Sequence, residues 1–177
     1  MSFFSEVFAG QQITYNVSEI YNNLRNQIIS LASKEKAREF GFKDGQPVAI
    51  LMETGFEDAC YTLVAVGDGT ASLYFSNGGG IIGAGEYEEG AKAARDFLHF
   101  SGKFEQYLSE TKNYPFPKPG KTRFYIIKSG AILTGEYDEN HLGNGKLALS
   151  PLFYKGHDLI TIIRVTAEKR QKGEQAN

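Results

Sequence analysis

Sulfur, tryptophan and long apolar runs are what this chain has least of. It carries one cysteine, Cys60, two methionines and no tryptophan. A single thiol cannot close an intrachain disulfide or build a cysteine-based zinc site, and it fits a reducing compartment. The apolar runs are short: 48–52, 63–66, and 159–163 with Thr161 inside it. None approaches the ~18–20 residues a helix needs to cross a bilayer. The opening residues, Met1-Ser2-Phe3-Phe4-Ser5-Glu6, have neither the basic region nor the apolar stretch of a secretory signal. These absences predict a soluble cytoplasmic protein with no membrane contact. Excess charge of one sign is also missing. Nineteen basic and 21 acidic side chains leave a net charge of −2. A dedicated DNA-binding domain is usually clearly basic, because phosphate neutralisation supplies much of its affinity.

What is present is a globular composition. Of 177 residues, 41 % are hydrophobic, 23 % charged and 13 % aromatic, which suits one domain with a filled core. Glycine is in excess, 20 of 177, and eight of the twenty lie between residues 67 and 90. Charge is split along the chain. Residues 1–88 hold 5 Lys/Arg against 11 Asp/Glu, net −6; residues 89–177 hold 14 against 10, net +4. Such asymmetry can orient a partner or a second copy.

Residues 1–15 read as an apolar docking arm. Phe3, Phe4, Val7 and Phe8 share one side of a short helical stretch. Such a stretch is too short to be stable alone and needs a surface to lie on. Residues 16–167 read as a single α+β domain, and 168–177 as a polar, frayed tail. The first helix is expected over 18–40, with Asn16 as its N-cap, Tyr15 and Ile20 as a hydrophobic staple, and Ile20, Leu24, Ile28 and Leu31 as its buried stripe. Gly41 suits the position after its end. Three strands follow at 48–52, 60–66 and 71–75. Asp68-Gly69 tolerates the positive φ of a tight hairpin turn, so the three form a meander. A second helix is expected over 86–108, with Gly102 weakening its later part. The Pro-rich stretch 114–120 must be extended. Strands at 122–128 and 131–137 form a hairpin turning at Ser129-Gly130, and 138–146 reads as a polar loop. Residues 149–167 combine helical spacing of apolar residues with a dense β-branched run, and periodicity favours helix. The expected fold is α+β: an antiparallel sheet of about five strands, a meander of three plus a hairpin, with about three flanking helices. In outline this resembles profilin-like and Roadblock-like domains, which pair such a sheet with helices and often dimerise. No residue motif carries that likeness.

Four sets of residues are candidates for chemistry or contact. Gly78-Gly79-Gly80-Ile81-Ile82-Gly83 matches G-x-G-x-x-G, and with Asn77 and Gly85 it could form a ligand-binding loop. Against a dinucleotide, the strands before it are antiparallel, and Glu86, Glu88 and Glu89 crowd the following helix start. Residues 111–135 contain no acid but hold Lys112, Lys118, Lys121, Arg123 and Lys128 among aromatics. Segment 112–128 could therefore bind single-stranded nucleic acid or an acidic partner. His141, His157 and Asp138 are weak metal candidates with no i, i+4 histidine pair, and no metal or other cofactor is predicted. Cys60 has no adjacent cation to make it reactive and reads as buried filler. No nucleophile elbow or P-loop is present. The sequence therefore points to a cytoplasmic interaction or regulatory domain that is non-enzymatic and self-associating, most simply as a homodimer. The alternative is a small-molecule binder or enzyme using loop 77–85, and the third reading is nucleic-acid or acidic-partner binding through 112–128.

Overall fold

The Val48–Met52 run has no polar face, so a strand built from it must be covered on both sides. The computed structural model, which describes residues 15–175, shows this arrangement. Strand β1 (Pro47–Gly55) has eight of its nine residues buried. It sits inside an antiparallel sheet with β2 (Cys60–Val66), β3 (Ala71–Phe75), β4 (Gly80–Ile81), β5 (Ser109–Glu110), β6 (Lys121–Lys128) and β7 (Ala131–Asp138). The order across the sheet is β4-β3-β2-β1-β6-β7-β5. The expected meander and hairpin are both present and join through β1 and β6, where Leu51 lies opposite Tyr125 and Glu53 opposite Arg123. The two strands not expected from sequence are two-residue edges. Edges this short limit unwanted sheet-to-sheet pairing.

Helices cover both faces. On one lie α1 (Glu19–Ile29) and α2 (Lys34–Glu39), and the core there joins Tyr21, Ile29 and Ala37 to Leu51, Val64, Tyr125 and Ile127. On the other lie α3 (Glu88–Ser101), α4 (Glu139–Gly143) and α5 (Ser150–Gln175). There Phe97, Leu142, Leu152, Leu159 and Ile163 pack on Ile50, Met52, Leu63, Phe124 and Ile126. Alternate residues of each central strand thus feed two separate cores.

Several local expectations are corrected. The single helix over 18–40 is two helices, broken by a 3-10 turn at Ser30–Ala32 and by Ser33. Ser30 and Ser33 bond locally to Gln27 O and Lys36 N, the competition with helix that makes serine a capping residue. The N-cap is Ser18, not Asn16; its Oγ accepts from Tyr21 N at 3.2 Å. Ile20 is 57 % exposed, so the Tyr15–Ile20 staple does not form. The buried face is Tyr21, Arg25 and Ile29, turned from the apolar stripe because Arg25 is an inward residue. The second helix ends at Ser101, and Gly102–Tyr107 continues as 3-10 turns. Residues 138–146 are not all loop: Asp138 N-caps α4 through His141 N at 3.0 Å, and Leu142 is fully buried. Residues 149–167 are helical as periodicity favours, and α5 runs on through the polar segment to Gln175. The Pro-rich segment 114–119 has no regular structure and crosses the α1 face as a strap, bridging to β1 at Gly55 and Pro119.

Candidate functional site

The α1 face of the sheet carries a row of polar groups inside a hydrophobic core. Glu53 projects from the C-terminal part of β1 and is fully buried. Directly opposite it are Thr62 on β2 and Arg123 on β6. Arg25, 2 % exposed, comes down from α1 and grips the carboxylate with two bonds: Nε to Oε1 at 2.6 Å and Nη2 to Oε2 at 3.0 Å. Nη2 also donates to the strap, to Tyr114 O at 3.1 Å and Pro115 O at 3.4 Å. The guanidinium lies over the Phe116 ring, 4.4 Å from its centroid. Paired this way, both charges survive burial, which otherwise costs several kcal/mol per ion. Burial alone would discourage the Arg25 charge, but the Glu53 carboxylate more than offsets this and holds its pKa above the usual arginine value.

The hydroxyls around this pair form an ordered chain. Thr62 Oγ1 donates to Glu53 Oε1 at 2.9 Å. Its proton being used, it accepts from the Tyr21 hydroxyl at 2.6 Å. Tyr21 in turn lies 3.1 Å from Cys60 Sγ, whose thiol is left to donate. Burial pushes the phenols of Tyr15 and Tyr21 up, and pushes the Cys60 thiol up to about 11. The strap closes over the cluster: Tyr125 donates to Pro115 O at 2.5 Å and Tyr15 to Pro117 O at 2.8 Å. Every group that looks chemically active here is paired, protonated or covered. The arrangement holds α1, the sheet and the strap together; it offers no nucleophile or base to solvent.

What is open lies beside it. An open groove of about 690 Å³ runs along the β1–β2 turn, lined by residues 55–59 and by Pro119 and Gly120 of the strap's end. Phe56 stands in it, 48 % exposed, with its ring 6.0 Å from that of Tyr61. A smaller cleft of about 340 Å³ lies between α3 and α5, lined by Glu89, Lys92, Asp96, Lys155 and Asp158 among others. Lys92 and Asp96 are paired with each other there.

The sequence candidates fall outside both openings. Asn77 and Gly78 make the β3–β4 turn, where Gly78 has φ +102° and Asn77 Oδ1 accepts from Gly79 N at 3.0 Å. Gly80 and Gly85 allow close backbone contact: a Cβ on either would meet Leu73 O at 2.7 Å or Gly69 O at 2.2 Å. Gly83, at φ +84°, has its carbonyl held by Arg170 Nη2 at 3.2 Å. The loop is folded against the sheet edge and α5, and Glu86 shares the same arginine at 3.1 Å. In the basic segment, Lys121 pairs with Asp138, Arg123 with Glu136 and Lys128 with Glu105. Lys112 and Lys118 are exposed. Phe124 and Tyr125 are fully buried, and Phe116 packs under Arg25. His141 is exposed on α4 with Nδ1 3.9 Å from Asp138, while His157 packs on Phe153 in α5 at 4.4 Å between rings. Among the described residues no group of three or more His, Cys, Asp or Glu side chains is placed to hold a metal, and no helix is long and apolar enough to cross a membrane. Phe3, Phe4, Val7 and Phe8 lie outside the described residues.

Sequence reasoning missed the Arg25–Glu53 pair and the groove. One signal for the pair was available: Arg25 falls four residues after Tyr21 and four before Ile29, on the face that becomes buried. The geometry defines a three-layer α+β protein with an antiparallel sheet sealed on both faces. No family model matches the chain, no curated protein matches it, and no solved structure matches its fold.

Proposed function

We propose that this chain is a non-enzymatic interaction domain whose self-association is governed by its N-terminal arm. The observation that carries the reading is the contrast between the two kinds of surface just described. The polar cluster is sealed under the strap, while the groove at the β1–β2 turn exposes Phe56 beside Glu57 and Asp58, a surface suited to contact rather than catalysis. An arm carrying Phe3, Phe4, Val7 and Phe8 with a single acid, Glu6, supplies a complementary element. A two-fold dimer is the simplest closed product. Sedimentation of the full chain and of a form lacking residues 1–12 tests this over a range of concentrations. The expected result is a different average mass for the two forms. A strict monomer in both, at every concentration, overturns the proposal.

The nucleic-acid reading is weakened by the pairing of Lys121, Arg123 and Lys128 and by the burial of Phe124 and Tyr125, which removes their rings from stacking.

A further inference from the structure

We propose that the groove at the β1–β2 turn binds a linear aliphatic diamine. Its methylene chain would lie on Phe56 and Tyr61, one ammonium group against Glu139 and the other against Glu57 and Asp58. The inference goes beyond the self-association reading and does not rest on it.

The first support is a polar group with no partner. Tyr61 on β2 lies directly opposite Thr54 on β1, and its hydroxyl oxygen is buried without a hydrogen bond. Thr54 Oγ1 is bonded to Thr122 Oγ1 instead, at 2.8 Å. Leaving a buried hydroxyl unpaired costs about 1–3 kcal/mol. Burial pushes the Tyr61 phenol above its ordinary value, and the Glu139 carboxylate adds to this, so the two groups are within electrostatic reach of each other.

The second support is a carboxylate with no counter-ion. Glu139 opens α4 and is half-buried. Burial, with Asp138 beside it, raises its carboxyl above the usual value. Among the described residues no cation pairs with it: Lys121 and His141 both face Asp138. An ammonium group carries three donors and no acceptor. It would satisfy Glu139 and the Tyr61 oxygen together, while the phenol donates to the carboxylate.

The third support is the layout. Glu139 N donates to Gly120 O at 3.0 Å, and Gly120 N to Gly55 O at 2.8 Å. This row crosses the ends of β7, β6 and β1, so two strand spacings, ~10 Å, separate the Glu139 backbone from the end of β1. There the turn carries Glu57 and Asp58, which line the groove with no basic residue among the described lining. Between the two acidic ends stands the exposed Phe56 ring, 6.0 Å from that of Tyr61. Acid, aromatic strip, acid is the complement of a chain with a cation at each end. Aromatic faces attract cations and also cover methylene groups.

Titrating putrescine into the full chain by calorimetry tests this. Putrescine should bind saturably at one site, about tenfold more tightly than butylamine, and butanediol should not bind. Glu139→Gln should weaken putrescine by about tenfold, the loss of one charged hydrogen bond. Phe56→Leu should weaken it by ~3–30-fold, the range of a cation on an aromatic face. Tyr61→Phe should weaken it as well, yet leave the melting temperature of the free protein no lower, because no hydrogen bond is lost. Glu89→Gln, which removes an acid from the α3–α5 cleft, should change nothing. Because the chain has no tryptophan, Phe56→Trp places a single reporter in the groove. Its emission should respond to putrescine and not to sodium chloride of equal ionic strength. Absence of saturable putrescine binding overturns the inference. So does magnesium chloride binding equally well, which would be attraction to acids in general. Butylamine binding as tightly as putrescine rejects the two-ended seat. Wild-type affinity in both Glu139→Gln and Phe56→Leu rejects the groove.

Discussion

Arg25 and Glu53 are the residues on which the α1 face depends. Removing one partner leaves the other charge buried without compensation, a loss of ~3–5 kcal/mol, whereas replacing both by apolar groups of similar size is often neutral or better. Arg25→Ala should therefore lower the urea midpoint sharply, and the Arg25→Met/Glu53→Leu double variant should recover most of the loss. Equal destabilisation by the double variant would mean that the strap contacts to Tyr114 and Pro115, and not the buried charge, set the cost. Cys60 gives a second residue-scale prediction. With its thiol pushed up to about 11 and fully covered, its thiolate is scarce near neutral pH. Alkylation of the native protein should be slow and limited by opening, and should become fast in denaturant. Rapid native labelling would contradict the sealed cluster.

At the scale of elements, helix glycines separate local propensity from packing. Glycine to alanine in a helix normally stabilises by about 0.5–1 kcal/mol. Gly173 in α5 has nothing within 4 Å of a new Cβ, so Gly173→Ala should raise the melting temperature slightly. Gly90 in α3 is different, since its Cβ would lie 2.1 Å from Ala84 O. Gly90→Ala should lower the melting temperature, because the backbone entering α3 would have to move. The same logic accounts for much of the glycine excess. Gly80, Gly85 and Gly90 pack backbone against backbone, which a sequence pattern cannot distinguish from a phosphate-binding loop. The break between α1 and α2 was legible only as the serines at 30 and 33. In the folded chain the break is fixed by their local side-chain bonds and by the β6–β7 turn, where Gly130 N donates to Ala32 O at 2.8 Å.

For the whole molecule, stability should fall on mild acidification. Burial holds the His157 imidazole below the ordinary histidine value of 6.5. Its neutral form is the one the fold accommodates, so the unfolded chain binds the proton more readily. The contribution is complete above that ordinary value and is lost as pH falls through the lower, folded value. A stability profile from pH 7.5 to 5 should show this decline, and His157→Phe should flatten it. A profile unchanged by that substitution would place the acid sensitivity elsewhere. At lower pH, Asp138 is the next group to watch. The His141 backbone N–H and Lys121 hold its carboxyl below the usual carboxylate range, so protonating it weakens the cap of α4 and the β6–β7 pairing.

The sequence by itself determined the class of the fold. Short apolar and β-branched runs placed β1, β2, β3, β6 and β7, the Asp-Gly and Ser-Gly turns set the antiparallel sense of the pairs they join, and apolar spacing at 149, 152, 159 and 163 outweighed the β-branched run in α5. These are local signals, because the residues that specify each element lie within it. Tertiary structure decided the rest. It brought Arg25 to Glu53 across 28 positions and laid the strap over both. It supplied Asp138, Glu136 and Glu105 to a stretch that contains no acid of its own, and it opened a groove between a turn and a Pro-rich end far apart in the chain. Burial, charge pairing and concavity are properties of residues brought together from distant positions, and pair energies at ~3–4 Å depend on that approach. They have no period along a sequence, so only the folded chain reveals them.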